Sequence, residues 1–314
     1  MKISLVGYTG FVGSNIYNKA GSQIEGLYNS KNIKSAYKTA PDILIYAGLK
    51  AEKYLANTYP EKDKFLIEEA EKNIKNINPK KLILISTIDV FKEPANVDEN
   101  SIIDINGLQP YGYNRYLLEC WVRENYHDAL IIRLPALFGD NLKKNFLYDY
   151  VNPIPQLLKK EKIEELSARN KDIFNYYALH DDQFYKVKNL EKNELNELKN
   201  ILEKLGFTAL NFTDSRNIYQ FYNLARLWDD IHTALDHNLQ IWHPATEPVS
   251  AGDIYKFLTG NEFVNEILPV PAYYNYRTVY YDIFNGRNGY INSEIQVLNQ
   301  IKDFIAKQQL LMNK

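Results

Sequence analysis

The feature that most constrains the fold is a glycine triplet near the start of the chain, Gly7-x-x-Gly10-x-x-Gly13. A short apolar run at 3–6 precedes it, and the apolar residues of 11–16 follow it at helical spacing. A strand that runs through glycines into a helix is the context in which this spacing is informative. The triplet therefore predicts a strand–turn–helix unit at the head of an α/β domain.

The same triplet predicts a dinucleotide site. Gly7 permits a tight turn, Gly10 lets a backbone N–H approach a pyrophosphate, and Gly13 lets the helix pack against the strand. The helix N-terminus adds partial positive charge, which favours a bound phosphate. A turn with only a structural role is the alternative. The residues expected to contact a dinucleotide at this turn are Gly7, Thr9, Gly10, Phe11, Val12 and Gly13.

The first half of the chain alternates apolar runs typical of strands with segments of helical periodicity. Predicted strands cover 3–6, 24–28, 43–47, 82–86 and 129–134, and predicted helices start at Gly10, lie near Ser35, and cover 60–77 and 110–125. Such alternation predicts a Rossmann-type, doubly wound parallel sheet, which places the chain in the α/β class.

The second half changes character at about residue 141. Residues 141–210 are polar and rich in Lys, Glu and Asn, and the leucines of 190–205 recur on one helical face. The chain is then predicted to return to the sheet, in segments 209–212, 223–237 and 239–242. We therefore expect a dinucleotide-binding domain at 1–140 with a return segment at 217–243, and a smaller, mostly helical C-terminal substrate domain made of 141–216 and 244–314.

Charge and cysteine content exclude several classes of partner. The 37 basic and 39 acidic residues give a net charge of −2, so we expect neither nucleic acid nor a membrane surface as partner. Cys120 is the single cysteine, and no secretion signal or membrane-spanning apolar run is evident. We expect a cytoplasmic protein. The oligomeric state stays open, with a homodimer as one option.

Two further clusters carry chemical groups. The fourth predicted strand ends in the hydroxyls of Ser86 and Thr87, at the edge of the sheet where such folds bind cofactors. Tyr111 and Arg115 are four residues apart on a predicted helix, so both project from one face. A cation beside a phenol favours the phenolate, which suits a tyrosine to acid–base catalysis near neutral pH.

Together these blocks resemble the extended short-chain dehydrogenases/reductases of the NAD-dependent epimerase/dehydratase type, which act on nucleotide-activated sugars. The resemblance rests on the glycine triplet, on Ser86-Thr87-Ile88-Asp89-Val90-Phe91, and on Tyr111-Gly112-Tyr113-Asn114-Arg115 with Glu119 beyond. Segment 133–139 resembles the stretch of that family that approaches the nicotinamide. Ser215 and Arg216 resemble, less closely, a stretch that contacts a nucleotide diphosphate. The short gap between the second and third strands is similar to deoxysugar reductases.

The resemblance implies roles for single residues. Thr87 would hold the substrate oxygen, Tyr111 would exchange its proton, and Asp89 and Arg216 would contact substrate. Arg115 stands where the family has Lys, and it keeps the charge but brings a bulky planar group that cannot release its proton. The further positions expected to contact the cofactor are Ala47, Gly48, Ser86, Tyr111, Arg115, Pro135 and Leu137.

The segment after the second strand bears on cofactor choice. Sites specific for NAD usually carry an acidic residue there, about 20 residues beyond the glycines, which binds the ribose 2′-hydroxyl. This chain has Asn29, Ser30 and Lys31 instead. Because no carboxylate would repel a 2′-phosphate, NADP(H) is favoured over NAD(H), which stays an alternative.

Each functional interpretation has a plain counterpart. Ser86 and Thr87 could simply end a strand, Tyr111 and Arg115 could form a surface pair, Arg216 could be a solvated cation, and Asp89 could make local hydrogen bonds. The five histidines show no metal-binding spacing, so no metal site is predicted. The resemblance implies 4-keto reduction or 4-epimerisation of a nucleotide sugar, in bacterial surface-polysaccharide synthesis, rather than dehydration, because the Asp-Glu pair of dehydratases is replaced by Ile88-Asp89. A non-catalytic dinucleotide-binding sensor or scaffold is the competing hypothesis.

Overall fold

The computed structural model describes residues 1–181 and 183–312. Its strands are β1 (Ile3–Val6), β2 (Gly26–Tyr28), β3 (Ile43–Tyr46), β4 (Lys81–Thr87), β5 (Leu130–Leu134), β6 (Ala136–Phe138), β7 (Leu157–Lys159), β8 (Tyr177–Asp181), β9 (Phe184–Val187), β10 (Ile218–Tyr219), β11 (Phe221–Asn223), β12 (Ile241–Trp242) and β13 (Val249–Ser250). Its α-helices are α1 (Phe11–Ala20), α2 (Lys53–Thr58), α3 (Pro60–Ile77), α4 (Pro110–Asn125), α5 (Phe146–Val151), α6 (Lys160–Arg169), α7 (Ile173–Tyr176), α8 (Lys192–Lys204), α9 (Leu227–Asp236), α10 (Ala251–Thr259) and α11 (Glu294–Met312).

The chain divides into two compact units. The first unit comprises Met1–Leu142, Ile218–Ser250 and Ala272–Phe304, and the second unit comprises Lys143–Asn217, Ala251–Pro271 and the chain from Ile305 onward.

The first unit contains a six-stranded sheet in the order β12-β5-β4-β3-β1-β2. All five pairings in this sheet are parallel. The predicted Rossmann-type sheet is thus confirmed. The strand order reverses between β1 and β3, and in such sheets ligands bind outside the carboxyl ends of the strands at this switch point.

The strands of this sheet are buried on both faces, which is why they are nearly continuous apolar runs. One face packs against α1 and α9 in a core that includes Leu5, Ile16 and Ile231. The other face packs against α3 and α4 in a core that includes Leu44, Ile74 and Leu118. The helices predicted at 60–77 and 110–125 have these bounds in the structure, since each starts at a proline that favours the first helical position.

The C-terminal boundary differs from the one expected from the sequence. Residues 244–250 and 272–304, which we had assigned to the substrate domain, belong to the first unit. Aromatic packing explains the difference, because Phe284 stacks on Trp242 with ring centroids 4.5 Å apart and Phe304 lies 5.5 Å from Phe138. These are contacts between distant positions, which periodicity in the sequence does not reveal.

The second unit has its own core and a small antiparallel sheet, β7-β9-β8, that the sequence analysis did not predict. Leu198 and Leu202 of α8 are buried in that core, whereas Leu195 is on the exposed side. The expected return to the sheet at 209–212 is wrong. These residues form a 3-10 turn, capped by reciprocal hydrogen bonds between Thr208 and Asn211.

Candidate functional site

The glycine turn has the geometry that a bound diphosphate requires. Gly7 has a φ of 91°, and a Cβ there would overlap the Ala47 carbonyl. A Cβ at Gly13 would overlap the carbonyl of Gly7, so the turn and the helix lie too close for a side chain. The N–H of Gly10 donates to the Gly7 carbonyl at 2.9 Å and closes the turn. Only glycine fits at positions 7 and 13. The closely packed backbone at these positions shapes the candidate dinucleotide site.

The N-terminus of α1 opens at this turn. Gly10 is the N-cap and no side chain accepts a hydrogen bond from the first helical N–H groups. A helix N-terminus of this kind is an anion site, because its N–H groups and the helix dipole both favour negative charge. Thr9 is exposed, and Phe11 and Val12 are half-buried beside it. These residues fit the diphosphate of a dinucleotide.

The end of β3 completes the switch point. The N–H of Ala47 donates to the Val6 carbonyl at 2.9 Å, so β3 ends directly beside the glycine turn. Ala47 is half-buried and Gly48 is exposed. Both predicted residues therefore lie at the edge of the sheet where a dinucleotide would extend.

The segment after β2 is ordered by its own side chains. The Asn29 carboxamide oxygen accepts the Lys31 N–H at 2.9 Å, and the Asn32 carboxamide oxygen accepts the Asn29 N–H at 2.7 Å. The side chains of Ser30 and Lys31 are left exposed. Sequence reasoning missed Asn32, although an Asx pair closing a turn is a recognisable signal. The loop presents a hydroxyl and an ammonium where NAD-specific sites place a carboxylate.

Thr87 and Tyr111 are brought together at the carboxyl end of β4. Helix α4 packs closely on the 3-10 turn that follows β4, since a Cβ at Gly112 would overlap the Asp89 carbonyl. The first turn of α4 is fixed further by the Tyr111 N–H, which donates to the Asn57 side chain at 2.9 Å. The Thr87 hydroxyl interacts with the Tyr111 phenol and lowers its pKa. Both residues are buried. The alternative that Thr87 only ends a strand does not account for this interaction.

Arg115 lies beneath Tyr111, as the four-residue spacing predicts. Its guanidinium is 4.1 Å from the centroid of the Tyr111 ring, a cation–π contact. Both side chains are buried, so the alternative of a surface pair is wrong. The Arg115 guanidinium also forms an ion pair with Asp63 and donates to the Lys50 carbonyl at 2.7 Å. Its charge is therefore balanced inside the protein.

The pairing of Arg115 with Asp63 changes the expected pKa of Tyr111. Burial raises the pKa of Tyr111, Arg115 lowers it, and the carboxylates of Asp89 and Asp63 raise it further. The net shift is upward, whereas the sequence analysis expected the cation to favour the phenolate. The expectation fails because the Arg115 charge comes with burial and with the counter-charge of Asp63. The raised pKa keeps Tyr111 in its neutral form near neutral pH.

Asp89 faces two groups that the sequence analysis missed. Its carboxylate accepts the Tyr274 hydroxyl at 2.9 Å and pairs with the Lys53 ammonium at 3.0 Å. Tyr274 lies 185 positions further along the chain, so no local pattern signals this contact. We name these three residues the Asp89 cluster. It places a carboxylate, an ammonium and a phenol near Thr87 and Tyr111.

Ser86 is committed to a buried network. Its hydroxyl donates to Glu119 at 2.6 Å, and Glu119 accepts the Arg133 guanidinium at 2.7 Å. Arg133 also contacts the His243 ring at 3.2 Å. Burial lowers the pKa of His243 to about 3, and Arg133 adds to the effect, so the imidazole is neutral. The Ser86 hydroxyl supports the strand end that carries Thr87, and a contact between Ser86 and the cofactor stays a prediction.

Two predicted positions follow β5. Leu137 is central in β6, which pairs in parallel with β11, and Pro135 joins β5 to β6. Both are half-buried. The structure thus leaves part of each side chain accessible.

Arg216 belongs to the second unit and is already held by carboxylates. Its guanidinium donates to buried Asp214 at 2.8 Å and to the Leu268 carbonyl at 2.7 Å, and it pairs with Glu266 at 3.1 Å. The Arg216 hydrogen bond lowers the pKa of Asp214, so this carboxylate stays charged. A diphosphate at Arg216 would have to compete with these partners.

No group of three or more His, Cys, Asp or Glu side chains within 1–181 and 183–312 is arranged to hold a metal ion. Among the described helices, none combines the length and the apolar character needed to cross a membrane.

No model of a known protein family matches this sequence. No curated protein matches it significantly either.

Solved structures do resemble the fold over almost the whole chain. A dTDP-4-dehydrorhamnose reductase from Clostridium acetobutylicum superposes with a TM-score of 0.63 at 15% identity, over 98% of this chain and 100% of that one. The Bacillus anthracis dTDP-4-dehydrorhamnose reductase, solved in complex with NADP, gives 0.61 at 15% identity, over 98% and 99% of the two chains. A UDP-N-acetylglucosamine 4-epimerase from Methanobrevibacter ruminantium gives 0.63 at 11% identity, over 99% and 98%. At these identities the likeness shows a shared Rossmann-like fold.

Proposed function

We propose that this protein is an NADP(H)-dependent reductase or 4-epimerase of a nucleotide-activated sugar. The observation that carries the proposal is that Thr87 and Tyr111 are both buried at the carboxyl end of β4, where the Thr87 hydroxyl lowers the pKa of Tyr111. The glycine turn lies at the same edge of the sheet, because β3 pairs in parallel with both β1 and β4. A hydroxyl pair beside a dinucleotide turn suits the reduction of a carbonyl.

The residues of the first unit have distinct tasks in such a reaction. When bound, the nicotinamide supplies the hydride for the carbonyl carbon. The Thr87 hydroxyl holds the carbonyl oxygen, and Tyr111 donates the proton that turns this oxygen into a hydroxyl. Reduction therefore needs a protonated tyrosine, which the raised pKa of Tyr111 provides. An epimerase would run the same proton transfer in both directions, and the arrangement of Thr87 and Tyr111 serves either reaction.

The Asp89 cluster supports a sugar as substrate. Its carboxylate, ammonium and phenol offer both acceptors and donors, which a ring with several hydroxyls can use. Ile88 is buried and carries no acid, so only one carboxylate follows Thr87. Dehydration needs a second acid–base group on the neighbouring carbon, and reduction or epimerisation is therefore favoured. The activities named for the structurally similar proteins point to the same substrate class.

The glycine turn fits a dinucleotide, and the segment after β2 favours NADP(H). Ser30 and Lys31 are exposed where a 2′-phosphate would lie, and Asn29 uses its carboxamide to hold the turn. One structurally similar reductase was solved with NADP. We expect NADPH to bind more tightly than NADH in a fluorescence titration, and Lys31→Ala to weaken only NADPH. Equal affinities in the unaltered protein would contradict this preference.

A second candidate function is a dinucleotide-binding sensor or scaffold without turnover. The observation that favours it is the ion pair between Arg115 and Asp63, which removes the cation from free use at the site. Synthesis of bacterial surface polysaccharide, a cytoplasmic location and a homodimer stay predictions in either case.

One experiment separates the enzyme from the sensor. The full chain is mixed with NADPH and a panel of 4-keto sugars linked to UDP, dTDP, GDP or CDP, and NADPH consumption is followed by absorbance. The proposal predicts oxidation with at least one member of the panel and formation of the 4-hydroxy product. Tight NADPH binding without oxidation of any member would support the sensor, and absence of NADPH binding would exclude both.

A further inference from the structure

Asn15 is a buried amide on the helix that starts at the glycine turn. It lies in the second turn of α1, is 6% exposed, and belongs with Gly13 and Ile16 to the buried residues of this helix. A buried amide is costly unless its donors and its acceptor find partners. The proposed reaction gives Asn15 no task, so its role has to be inferred from its partners.

The main partner of Asn15 is Asp140, which lies 125 positions further along the chain. The Asn15 carboxamide nitrogen donates to the Asp140 carbonyl at 2.8 Å, and the carboxamide oxygen accepts the Asp140 N–H at 3.0 Å. The same nitrogen donates to the Phe11 carbonyl within α1 at 2.8 Å. Asn15 thus binds both backbone groups of one residue, as a strand does in an antiparallel pair, and uses both N–H donors of its amide.

Gly139 makes room for this contact. A Cβ at Gly139 would lie 2.7 Å from the Asn15 carboxamide oxygen, which is too short for a contact of a Cβ. Gly139 is buried, and Asp140 follows it directly. The chain after β6 therefore lies against α1 at a distance that leaves no room for a side chain at position 139.

The segment 135–140 connects this contact to the reacting end of the candidate site. Thr87 at the end of β4 pairs with Leu134 at the end of β5, so the chain leaves the sheet at Pro135 next to Thr87. Residues 135–137 are half-buried. The segment thus starts at the strand end that carries Thr87 and ends on α1, whose N-terminus fits a diphosphate.

A dinucleotide that serves the proposed reaction has to reach the same two places. Its diphosphate is expected at the N-terminus of α1, and its nicotinamide must come within reach of a carbonyl held by Thr87. Groups that react have to be held to within about 0.5 Å by the residues that support them. The glycine turn is fixed separately, because the Gly7 N–H donates to the Tyr28 carbonyl at 2.7 Å. Asn15 is therefore needed for the position of segment 135–140 rather than for that of the turn.

We propose that Asn15 is a positioning residue for the cofactor, which holds segment 135–140 at the distance from α1 that lets the nicotinamide half of a dinucleotide bind. This inference rests on the proposed function, since it assigns a residue to the cofactor site of that reaction. Asn15 does not touch the reacting atoms and acts through the backbone of Asp140. Its loss should weaken binding of the nicotinamide half and leave binding of the adenosine half unchanged.

Calorimetry of the full chain with NADPH and with 2′-phospho-ADP-ribose, which lacks the nicotinamide, tests the proposal. Asn15→Ala should weaken NADPH binding by about tenfold, or about 1.4 kcal/mol, and change 2′-phospho-ADP-ribose binding by less than about twofold. A loss of stability would weaken both ligands alike and would not change the ratio of their dissociation constants. The matched control is Asn18→Ala, the same change at an exposed position of α1, which should leave both dissociation constants unchanged.

Gly139→Ala tests the same contact from its other side. The added Cβ would overlap the Asn15 carboxamide oxygen, so this variant should show the same selective loss of NADPH binding. In the double variant with Asn15→Ala and Gly139→Ala the overlap is absent. Its loss of binding free energy should therefore be smaller than the sum of the two single losses. Additive losses would mean that the two residues act independently, contrary to the proposal.

Three other results would overturn the assignment. Equal losses for both ligands in Asn15→Ala would mean that Asn15 supports only the glycine turn or the fold. Unchanged dissociation constants would leave Asn15 without this role, and so would a nicotinamide that adds no affinity in the unaltered protein. In these cases the proposed function stands if NADPH binds and a keto sugar is reduced. If the unaltered protein does not bind NADPH, both fail.

Discussion

Arg115 and Arg133 are both buried against a carboxylate in the first unit, but their surroundings differ. Arg133 is 2% exposed and Glu119 is fully buried, and the pair is enclosed by Ser86 and His243. Arg115 is 3% exposed and pairs with Asp63, but its planar face is covered by the Tyr111 ring. The Arg133 guanidinium lies over the Phe91 ring at 5.3 Å, whereas the Arg115 guanidinium lies over the ring of the proposed acid–base group.

A buried ion pair thus serves a different purpose in each place. Glu119 accepts hydrogen bonds from the Arg133 guanidinium and from the Ser86 hydroxyl, so this network holds the end of β4 against α4. The pair of Arg115 and Asp63 instead sets the charge around Tyr111, since each of the two residues shifts its pKa in the opposite direction. Breaking the two pairs should therefore give different phenotypes.

The largest expected effect is on stability. Arg133→Met leaves Glu119 buried without a counter-charge, and breaking a buried pair in this way typically costs about 3–5 kcal/mol of unfolding free energy. Arg115→Met should cost less, because Asp63 keeps the Asn114 amide at 2.9 Å and lies in the first turn of α3, where the helix dipole favours it. Urea unfolding of both variants measures the difference. A larger loss for Arg115→Met would reverse the comparison.

The next largest effect is on the pH dependence of the unfolding free energy, through His243 in the Arg133 network. The pKa of His243 in the folded protein is about 3, below the ordinary value of about 6.5. Between these values the unfolded chain binds more protons at this site, so stability falls as the pH is lowered from about 6.5, by up to about 1.4 kcal/mol per pH unit. His243→Gln should flatten this dependence in urea titrations at several pH values. His237→Gln, at an exposed position, should keep the wild-type slope, and equal slopes in all three proteins would argue against a neutral His243.

A smaller effect is expected on the pH dependence of turnover. Asp63→Asn removes a carboxylate that raises the pKa of Tyr111, so Tyr111 should lose its proton at lower pH. Reduction needs the protonated form, and the alkaline fall in kcat should therefore move to lower pH. Glu61→Gln, an exposed change in the same turn of α3, is the control and should leave the profile in place. A shift to higher pH in Asp63→Asn would contradict the role given to this pair.

The smallest effect is expected for the half-exposed Arg216. Its side chain is 39% exposed, and its pair with the exposed Glu266 is weakened by solvent, whereas Asp214 is buried. Arg216→Ala should lower the free energy of unfolding by less than Arg133→Met does, because Asp214 still accepts the N–H groups of Ile267 and Leu268 at 2.9 Å. Because carboxylates already occupy the guanidinium, it should weaken nucleotide-diphosphate binding by less than about tenfold in calorimetry. A loss of a hundredfold or more would show that Arg216 is a main phosphate ligand.

The parts of the site that follow from local sequence were predictable. The glycine turn depends on seven consecutive positions, and the contact between Tyr111 and Arg115 depends on one helical turn. Asp63 lies 52 positions from Arg115, and Tyr274 lies 185 positions from Asp89. Nothing in the spacing of the sequence relates these partners. The pKa of Tyr111 is raised mainly by burial, with further contributions from Asp89 and Asp63.

The fold, too, was predictable only where it follows from local sequence. The parallel sheet was predictable because each βα step leaves its own apolar pattern in the chain. The assignment of 272–304 to the first unit depends on aromatic contacts such as Phe284 with Trp242, which only the folded chain brings together. The apolar segment 209–212 forms a capped 3-10 turn, because the side chains of Thr208 and Asn211 accept hydrogen bonds from nearby backbone N–H groups.

The central claim is that Tyr111, neutral and stacked on a charge-balanced Arg115, donates the proton in a reduction that uses NADP(H). The most direct measurement compares kcat for Tyr111→Phe with the wild type on the keto sugar that the panel identifies. Tyr113→Phe, an exposed position on the same helix, is the matched control. The account predicts that Tyr111→Phe lowers kcat by about 10²–10⁴-fold with NADPH affinity unchanged, since positioned proton transfer contributes about that much. An unchanged kcat in Tyr111→Phe would contradict the account.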